Sequence, residues 1–224
     1  ERILKTFKSH RVDGVLMSVG KNTTNLEFIQ KLEQSGTPIV FFDCVPDIPK
    51  ISKVESDLAT GMNEAIDAFA ARGHVKIALI NGPKLLPASD ERKNSFLSAL
   101  KRNNLAIDEK YIVNSDLTTE GNEAAMDKLF SLSERPTAIV SFNDFVTLDV
   151  MKAARNKGLI LNHDIHFISY ANYPLWKYME NPPMGCIEQF PGNQAKKAAE
   201  ILFEKMSNPE LEPQQIVFKS RLIM

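Results

Sequence analysis

An arginine stands close to the point where a buried strand would give way to a helix. The apolar run 76–80 has strand length and is followed by the turn residues Asn81, Gly82 and Pro83, after which a helical pattern opens near Arg92. In open α/β sheets, ligands bind at the carboxyl ends of the strands. A guanidinium at that edge presents a rigid fork of donors to an oxygen-rich ligand. The sequence therefore predicts that this chain binds a small molecule.

Catalytic and metal-binding residues show no comparable pattern. The sequence contains no nucleophile elbow, P-loop or glycine-rich dinucleotide loop, and its four histidines lack the i, i+4 spacing of helical metal ligands. Cys44 and Cys186 lie far apart and outside any CxxC spacing, which favours two reduced thiols over a disulfide or a metal pair. We therefore expect no catalytic residue, no metal site, no cofactor and no enzymatic activity.

Composition indicates an ordinary globular protein that does not act through its net charge. The chain has 224 residues, of which 43% are hydrophobic and 25% charged, and its formal net charge is -1. That charge gives no electrostatic footprint for nucleic acid or for an anionic membrane. No apolar run approaches the ~20 residues that span a bilayer, and residues 1–5 resemble a charged amphipathic helix rather than a signal peptide. A cytoplasmic location and no membrane partner are expected.

Helical and extended patterns alternate along the chain. Strands or extended pieces are predicted at 12–18, 38–42, 76–80, 111–113, 138–142, 165–170, 185–189, 216–218 and 222–224, and helices at 25–34, 57–72, 90–101, 120–132, 144–157 and 191–206. The proline-bearing stretches 43–56 and 172–184 are interpreted as crossings or rims rather than elements. Repeated strand–helix units predict an α/β fold with doubly wound parallel sheets.

Eight short segments follow one another in a recognisable order and spacing. They are VDGVL (12–16), PIVFFD (38–43), the segment 56–61, GHVKIALINGP (73–83), ERKNSFLSAL (91–100), ND (143–144), DIHFISY (164–170) and PPMGCIEQF (182–190). Each segment alone is weak, but the set covers nearly the whole chain. In this order the segments resemble the effector-binding core of the lactose-repressor (LacI/GalR) family of bacterial transcription regulators.

The resemblance implies a periplasmic-binding-protein-like fold. Two doubly wound parallel-sheet lobes would be joined by three crossovers, with a ligand in the cleft between them. On that template, 1–54 plus 189–213 form the N-terminal lobe, and 55–188 plus 214–224 form the C-terminal lobe. Family members carry a DNA-binding helix-turn-helix before the core, and a strand–helix–strand unit of roughly 30 residues before the segment that matches the start of this sequence. The resemblance therefore predicts that the first lobe is incomplete in this chain and that the chain is part of a longer protein.

The resemblance also implies ligand-binding positions. Asp43 and Ser18, each at the end of a strand, match positions for an acid and a small polar contact, with a turn cap and a backbone-satisfied hydroxyl as the alternatives. Arg92 and Asn143 match further ligand contacts, with a solvated helix residue paired to an acidic neighbour and a helix N-cap as the alternatives. Asp144 is interpreted as structural, because negative charge suits the first turn of a helix.

Several positions depart from the family pattern. Ala171 and Asn172 stand where relatives carry one or two aspartates, and because a methyl group cannot accept a hydrogen bond, Asn172 restores at most part of that polar anchor. Leu117 stands where some relatives stack an aromatic ring. These departures predict a more apolar site than a sugar site usually has. Trp176 could stack on a ligand from the rim, or it could pack or form a partner surface instead.

Taken together, the resemblance implies a ligand-sensing domain. It would bind a sugar-like or other small effector, form a homodimer, and switch the affinity of an absent helix-turn-helix for operator DNA. A ligand that favours one of two conformations shifts their populations, by no more than its differential affinity allows. The alternative is a solute-binding protein of a transporter, which uses the same fold.

Overall fold

The computed structural model describes residues 2–20, 23, 25–46, 48–84 and 86–224, with only the backbone of Lys8. The helices are α1 (Arg2–Ser9), α2 (Glu27–Gln34), α3 (Ala59–Ala71), α4 (Pro87–Arg102), α5 (Thr119–Phe130), α6 (Asp144–Asn156) and α7 (Pro191–Ser207). The strands are β1 (Val15–Met17), β2 (Ile39–Phe42), β3 (Ser52–Asp57), β4 (Ile77–Asn81), β5 (Ile112–Asn114), β6 (Ala138–Ser141), β7 (His166–Tyr170), β8 (Gly185–Glu188), β9 (Gln215–Lys219) and β10 (Arg221–Ile223). Two 3-10 helices span Glu109–Tyr111 and Pro174–Tyr178.

The chain forms two compact units. Unit 1 comprises Glu1–Ser56 and Phe190–Phe218, and unit 2 comprises Asp57–Gln189 and Lys219–Met224. Each unit contains one sheet covered on both faces, so the predicted α/β class with doubly wound parallel sheets is confirmed.

Unit 1 is built on a four-stranded sheet with the order β1-β2-β3-β9. Strands β1, β2 and β3 run parallel, with Val15 opposite Ile39 and Val40 opposite Ser52. Because side chains alternate along a strand, Phe41 of β2 faces a core that it shares with α2, while Val40 faces a core that it shares with α7. Burial of both faces explains the nearly continuous apolar sequence of β2.

Unit 2 is built on a six-stranded sheet with the order β10-β8-β7-β6-β4-β5, parallel except for the antiparallel edge strand β10. One face packs against α3 and α4, and the other against α5 and α6. Every residue of β4 and β6 is buried, which is why both strands have the nearly continuous apolar sequence of a two-sided parallel sheet. The parallel strands bring the ends of β4, β6, β7 and β8 to one edge, followed by the loops that carry the candidate side chains.

Three expectations from the sequence are wrong. The stretch 43–56 contains most of strand β3, which was missed because Ser52 and Ser56 supply two of the three buried side chains and leave little apolar alternation. Helix α4 begins at Pro87 rather than near residue 90, with proline at the first helical position. Residues 214–218, expected in the second lobe, extend the unit 1 sheet, where the Lys53 amide donates to the Gln214 carbonyl at 2.9 Å.

Within the described residues, none of the helices is long and apolar enough to cross a membrane.

Candidate functional site

Arg92 lies on the second turn of α4, with its side chain between two aromatic rings. Its guanidinium carbon is 4.1 Å from the ring centre of Phe142 and 4.4 Å from that of Tyr170. Phe142 follows β6 and Tyr170 ends β7, so two adjacent strand ends hold the cation by cation–π attraction. Arg92 is only 5% exposed, so the alternative of a solvated helix residue is wrong.

The two rings are themselves fixed by close packing. A Cβ atom at Gly82 would lie 2.5 Å from the Phe142 ring, so glycine is needed for the loop after β4 to pass this close. Burial raises the pKa of Tyr170, whose hydroxyl donates to the Leu58 carbonyl at 2.8 Å. Arg92 is therefore confined by groups that have little freedom to move.

Asn143 is the N-cap of α6. Its Oδ1 accepts the Val146 amide at 2.9 Å, and its carbonyl accepts the Thr147 hydroxyl at 2.8 Å. Asn143 is therefore a helix N-cap, a role that it can combine with the predicted ligand contact. Because Oδ1 is used by the cap, the side-chain amide of this half-buried residue has its two N–H donors left to offer a ligand.

Asp144 is fully buried and accepts hydrogen bonds from three directions. Its Oδ2 accepts the Tyr173 amide at 2.6 Å, and its Oδ1 accepts the indole Nε1–H of Trp176 at 2.8 Å and the Ser169 hydroxyl. Burial raises the pKa of Asp144; the three hydrogen bonds oppose that shift, and the charge of Glu188 adds to it. These four residues, Asp144, Ser169, Tyr173 and Trp176, are called the Asp144 hub below.

The carboxylates of this region also act on a buried thiol. Burial, reinforced by the charges of Asp144 and Glu188, raises the pKa of Cys186 to about 12. The thiol therefore stays protonated at neutral pH, which makes it unsuitable as a nucleophile.

Of the alternatives that the sequence left open for Trp176, stacking from the rim or packing, the structure shows packing. The 3-10 helix Pro174–Tyr178 turns its ring into the hydrophobic core, where it is 6% exposed and bonded to Asp144. Tyr173 and Tyr178 are the exposed aromatics of this segment. A buried indole N–H requires a hydrogen-bond acceptor. The sequence gave no indication that Asp144 is that acceptor.

Asn172 lies in a strained turn after β7. Ala171 and Asn172 both have positive φ, at 101° and 68°, a conformation that residues with a side chain rarely adopt. The Ala171 amide donates to the Ile187 carbonyl at 3.1 Å, and the Asn172 side-chain nitrogen donates to Glu188 Oε2 at 2.9 Å. The Asn172 side chain is thus held by a carboxylate at the end of β8.

Ser18 and Asp43 come together at the ends of β1 and β2 in unit 1. The Ser18 hydroxyl donates to Asp43 Oδ2 at 3.4 Å, and both residues are exposed. Asp43 has φ 61°, and its amide donates to Gln194 Oε1 at 3.1 Å. Ser18 also lines a largely apolar pocket of about 300 Å³ bordered by residues of α1, β1 and α2. The buried Gln194 is a residue that sequence reasoning missed, since it lies on α7 far along the chain.

Metal chemistry has no candidate in the part of the chain that the structure describes, where no group of three or more His, Cys, Asp or Glu side chains could hold an ion. The side chains predicted to bind a ligand lie in two groups. Arg92, Asn143 and Asn172 lie at the carboxyl edge of the unit 2 sheet, and Ser18 and Asp43 lie at that of unit 1.

Comparison with known proteins gives one family match and many similar sequences. The family of the periplasmic binding protein-like domain matches residues 66–224. HTH-type transcriptional repressor PurR of Aliivibrio fischeri (strain MJ11) is 31% identical over 212 residues, which cover 93% of this chain and 62% of that protein. PurR of Vibrio cholerae serotype O1 (strain M66-2) is 28% identical over 209 residues, with the same coverage. The chain thus spans about three-fifths of the length of these relatives.

Solved structures give the same picture. A regulatory protein of the LacI family from Chloroflexus aggregans superposes with a TM-score of 0.85 and 28% identity, covering 100% of this chain and 79% of that one. A complex of the transcriptional regulator CelR with cellobiose has a TM-score of 0.88 at 24% identity, covering 100% of this chain and 68% of that one. At that identity the likeness to CelR shows the fold alone.

Proposed function

We propose that this chain, which belongs to the periplasmic binding protein-like domain family in the form found in LacI/GalR regulators, senses a small effector for a DNA-binding protein. The effector binds at the carboxyl edge of the unit 2 sheet through Arg92, Asn143 and Asn172. In unit 1, Ser18 and Asp43 stay predicted ligand-binding residues, at the carboxyl edge of that unit's own sheet. The whole protein is a cytoplasmic homodimer that binds operator DNA through a helix-turn-helix.

The observation that carries this proposal is the confinement of Arg92 between Phe142 and Tyr170. Burying a cation is unfavourable unless it is compensated, and an arginine held in one orientation loses little further freedom when a ligand binds. Its donors suit a carboxylate, phosphate, carbonyl or hydroxyl oxygen. Asn143 adds N–H donors beside it, so the unit 2 edge favours a ligand rich in hydrogen-bond acceptors.

The relatives favour a regulator over a transporter. The PurR proteins of Aliivibrio fischeri and Vibrio cholerae, to which this chain is similar, are transcriptional repressors, which supports a regulator rather than a solute-binding protein. The regulatory step is a population shift, in which the effector binds one conformation of the protein more tightly and that conformation differs in affinity for DNA.

The test is a binding screen on the full-length protein. Cellobiose, D-ribose, sugar phosphates, free nucleobases and small carboxylic acids are screened by thermal shift, and each hit is titrated by calorimetry. We expect one class to bind, and Arg92→Ala to weaken its affinity by about tenfold or more through loss of charge-assisted hydrogen bonds. Arg92→Lys, which keeps the charge but not the planar fork, should also bind more weakly than the wild type.

Arg102→Ala is the matched control. Arg102 lies on the same helix, but it is half-exposed and bonded to Asp67 Oδ1 at 2.6 Å, so its loss should leave the affinity for the effector nearly unchanged. A hit that is indifferent to Arg92 would overturn the proposed site. A screen without hits would contradict effector sensing, and a bound effector that leaves the affinity for operator DNA unchanged would contradict the regulatory role.

A further inference from the structure

We propose that Asp144 is a positioning residue that holds the segment 171–179 against the start of α6, so that Asn143 and Asn172 keep a fixed arrangement for the ligand. The proposal deepens the ligand-binding function proposed above and rests on it. Asp144 is buried beneath this edge, and we infer that it acts through its neighbours rather than by touching the ligand.

The connectivity of the Asp144 hub places it between the two asparagines. Asp144 follows Asn143 in the chain, and Tyr173, whose amide donates to Asp144 Oδ2 at 2.6 Å, follows Asn172. Each proposed ligand side chain is therefore one residue away from an atom of the same short hydrogen bond. The bond from the Trp176 indole, at 2.8 Å, fixes a second point of the segment to the same carboxylate.

Backbone strain indicates that the segment must be held. Ala171 and Asn172 are consecutive non-glycine residues with positive φ, at 101° and 68°. Such conformations persist only where the surrounding structure over-determines them. The hub supplies two fixed points after the strained pair, at Tyr173 and Trp176, and the bond between Asn172 and Glu188 supplies one within it.

The choice of a carboxylate at position 144 also favours positioning over stability. An apolar side chain of similar size would suit a fully buried site in this core, whereas a buried carboxylate must overcome desolvation and the nearby charge of Glu188. No apolar side chain could accept a backbone amide, an indole N–H and a hydroxyl together. The carboxylate thus fixes three separate elements, β7, the 3-10 helix and α6, at one point.

The test is hydrogen–deuterium exchange of the protein in the absence of ligand, followed on peptides that cover 171–179. Asp144→Asn should speed exchange in this segment by about tenfold or more, because the Tyr173 amide loses its carboxylate acceptor and the strained pair can relax. Exchange elsewhere in unit 2 should change much less. If the asparagine variant does not fold, Trp176→Phe removes one donor while keeping a ring in the core, and should give a smaller opening of the same segment.

Two control variants separate positioning from general loss of stability. Asp149→Asn makes the same chemical change on α6, at a residue whose Oδ2 accepts the Asn122 side chain at 2.8 Å. Met126→Ala creates a cavity at a fully buried position of the same core and weakens the unit without touching the hub. Neither should open 171–179 selectively.

A spectroscopic signature provides a second measurement. Trp176 is the single tryptophan of the sequence, so its indole N–H gives one assignable resonance. In Asp144→Asn that resonance should move upfield and tryptophan emission should become easier to quench with acrylamide, while Asp149→Asn should alter neither.

The results distinguish this proposal from the proposed function. Unchanged exchange in Asp144→Asn, or equal opening of 171–179 in Met126→Ala, would overturn the positioning role whether or not a ligand is known. For a compound of the screen that binds the wild type, Asp144→Asn should weaken binding by about tenfold or more while Met126→Ala binds normally, as expected when preorganisation is lost. Failure of every compound in the screen would count against effector sensing, and the exchange experiment would still decide the role of Asp144.

Discussion

The two groups of candidate ligand side chains occupy equivalent places in their sheets, yet they are held very differently. In unit 1, Ser18 and Asp43 are exposed and their mutual hydrogen bond is 3.4 Å long. In unit 2, Arg92 is 5% exposed between two rings, and Asp144 is 0% exposed with bonds of 2.6 and 2.8 Å. The unit 1 pair is exposed and joined by a long bond, whereas in unit 2 Arg92 is buried, Asn143 and Asn172 are half-buried, and the neighbouring Asp144 carboxylate forms short bonds.

This difference changes how much side-chain freedom each group retains in the absence of a ligand. A long hydrogen bond between exposed groups adds little stability and leaves both side chains free to turn. Buried, short bonds fix side chains before a ligand arrives and so lower the entropy cost of binding. We infer that the unit 2 side chains are preorganised before any ligand binds, whereas Ser18 and Asp43 keep their side-chain freedom.

Neutralising one acid at each edge tests this difference most directly. Asp144→Asn should lower the unfolding free energy of unit 2 by about 2–4 kcal/mol, because an amide leaves at least one buried donor without an acceptor. Asp43→Asn, at an exposed position, should change stability by no more than about 0.5 kcal/mol. Urea unfolding followed by Trp176 emission measures the first change, and hydrogen exchange of unit 1 peptides measures the second.

Equal losses in the two variants would contradict the distinction between a buried and an open edge. A more stable Asp144→Asn protein would show that desolvation of the carboxylate outweighs its hydrogen bonds.

Lowering the pH should reduce the stability of unit 2 more than that of unit 1, because of a histidine pair at the opposite end of the unit 2 sheet. The rings of His74 and His166 are 4.7 Å apart, and His74 Nδ1 is 2.8 Å from the Thr137 hydroxyl. Burial lowers the pKa of both histidines; repulsion from His166 and Arg72 adds to the shift at His74, and repulsion from Arg72 and His163 adds to it at His166. Both are thus favoured in the neutral form when folded.

The sign of the pH dependence follows from proton counting. Below about pH 6.5, the ordinary pKa of histidine, the unfolded chain binds more protons than the folded one. The stability of unit 2 is therefore complete above that pH and declines as the pH falls toward the lowered pKa values. His166→Gln should flatten the decline in urea midpoint between pH 7 and 5, whereas His10→Gln, an exposed position of unit 1, should not. An unchanged slope in His166→Gln would rule out the pair as its source.

Relief of strain beside the hub should have a smaller effect, of opposite sign. Ala171→Gly should raise the unfolding free energy by about 0.5–1 kcal/mol, because glycine adopts positive φ without the steric penalty of alanine, an advantage partly offset by its freedom in the unfolded chain. Ala68→Gly, inside helix α3, should instead lower it by about 1 kcal/mol. Urea unfolding compares the two, and destabilisation by Ala171→Gly would show that the turn after β7 is not strained.

The sequence predicted most of the fold because apolar runs such as 76–80 and 138–142 are local signals. It failed at β3, where Ser52 and Ser56 face the interior and remove the alternation on which strand prediction depends. The capping role of Asn143 was also accessible, since an asparagine before a helical pattern is itself a local signal.

The surroundings of the site were not accessible in the same way. The burial of Arg92 depends on Phe142 and Tyr170, which approach it only because β6 and β7 are neighbours in the sheet. The choice between stacking and packing for Trp176 could not be made from the sequence, because its partner, Asp144, lies 32 residues earlier in the chain. Such contacts are set by sheet order, and an individual segment carries no trace of them. The ligand roles of these residues remain predictions.

The smallest effect is expected for a substitution at the exposed edge of unit 1. Ser18→Ala removes a hydroxyl whose bonds to Asp43 and to the Cys44 amide are both 3.4 Å long. Because Ser18 and Asp43 are exposed, water can replace the lost bonds, and stability should change by no more than about 0.5 kcal/mol. Calorimetric affinity for an effector should fall only a few-fold, by about 1 kcal/mol or less for one neutral hydrogen bond. A loss as large as that caused by Arg92→Ala would contradict the distinction between a preorganised edge in unit 2 and a flexible one in unit 1.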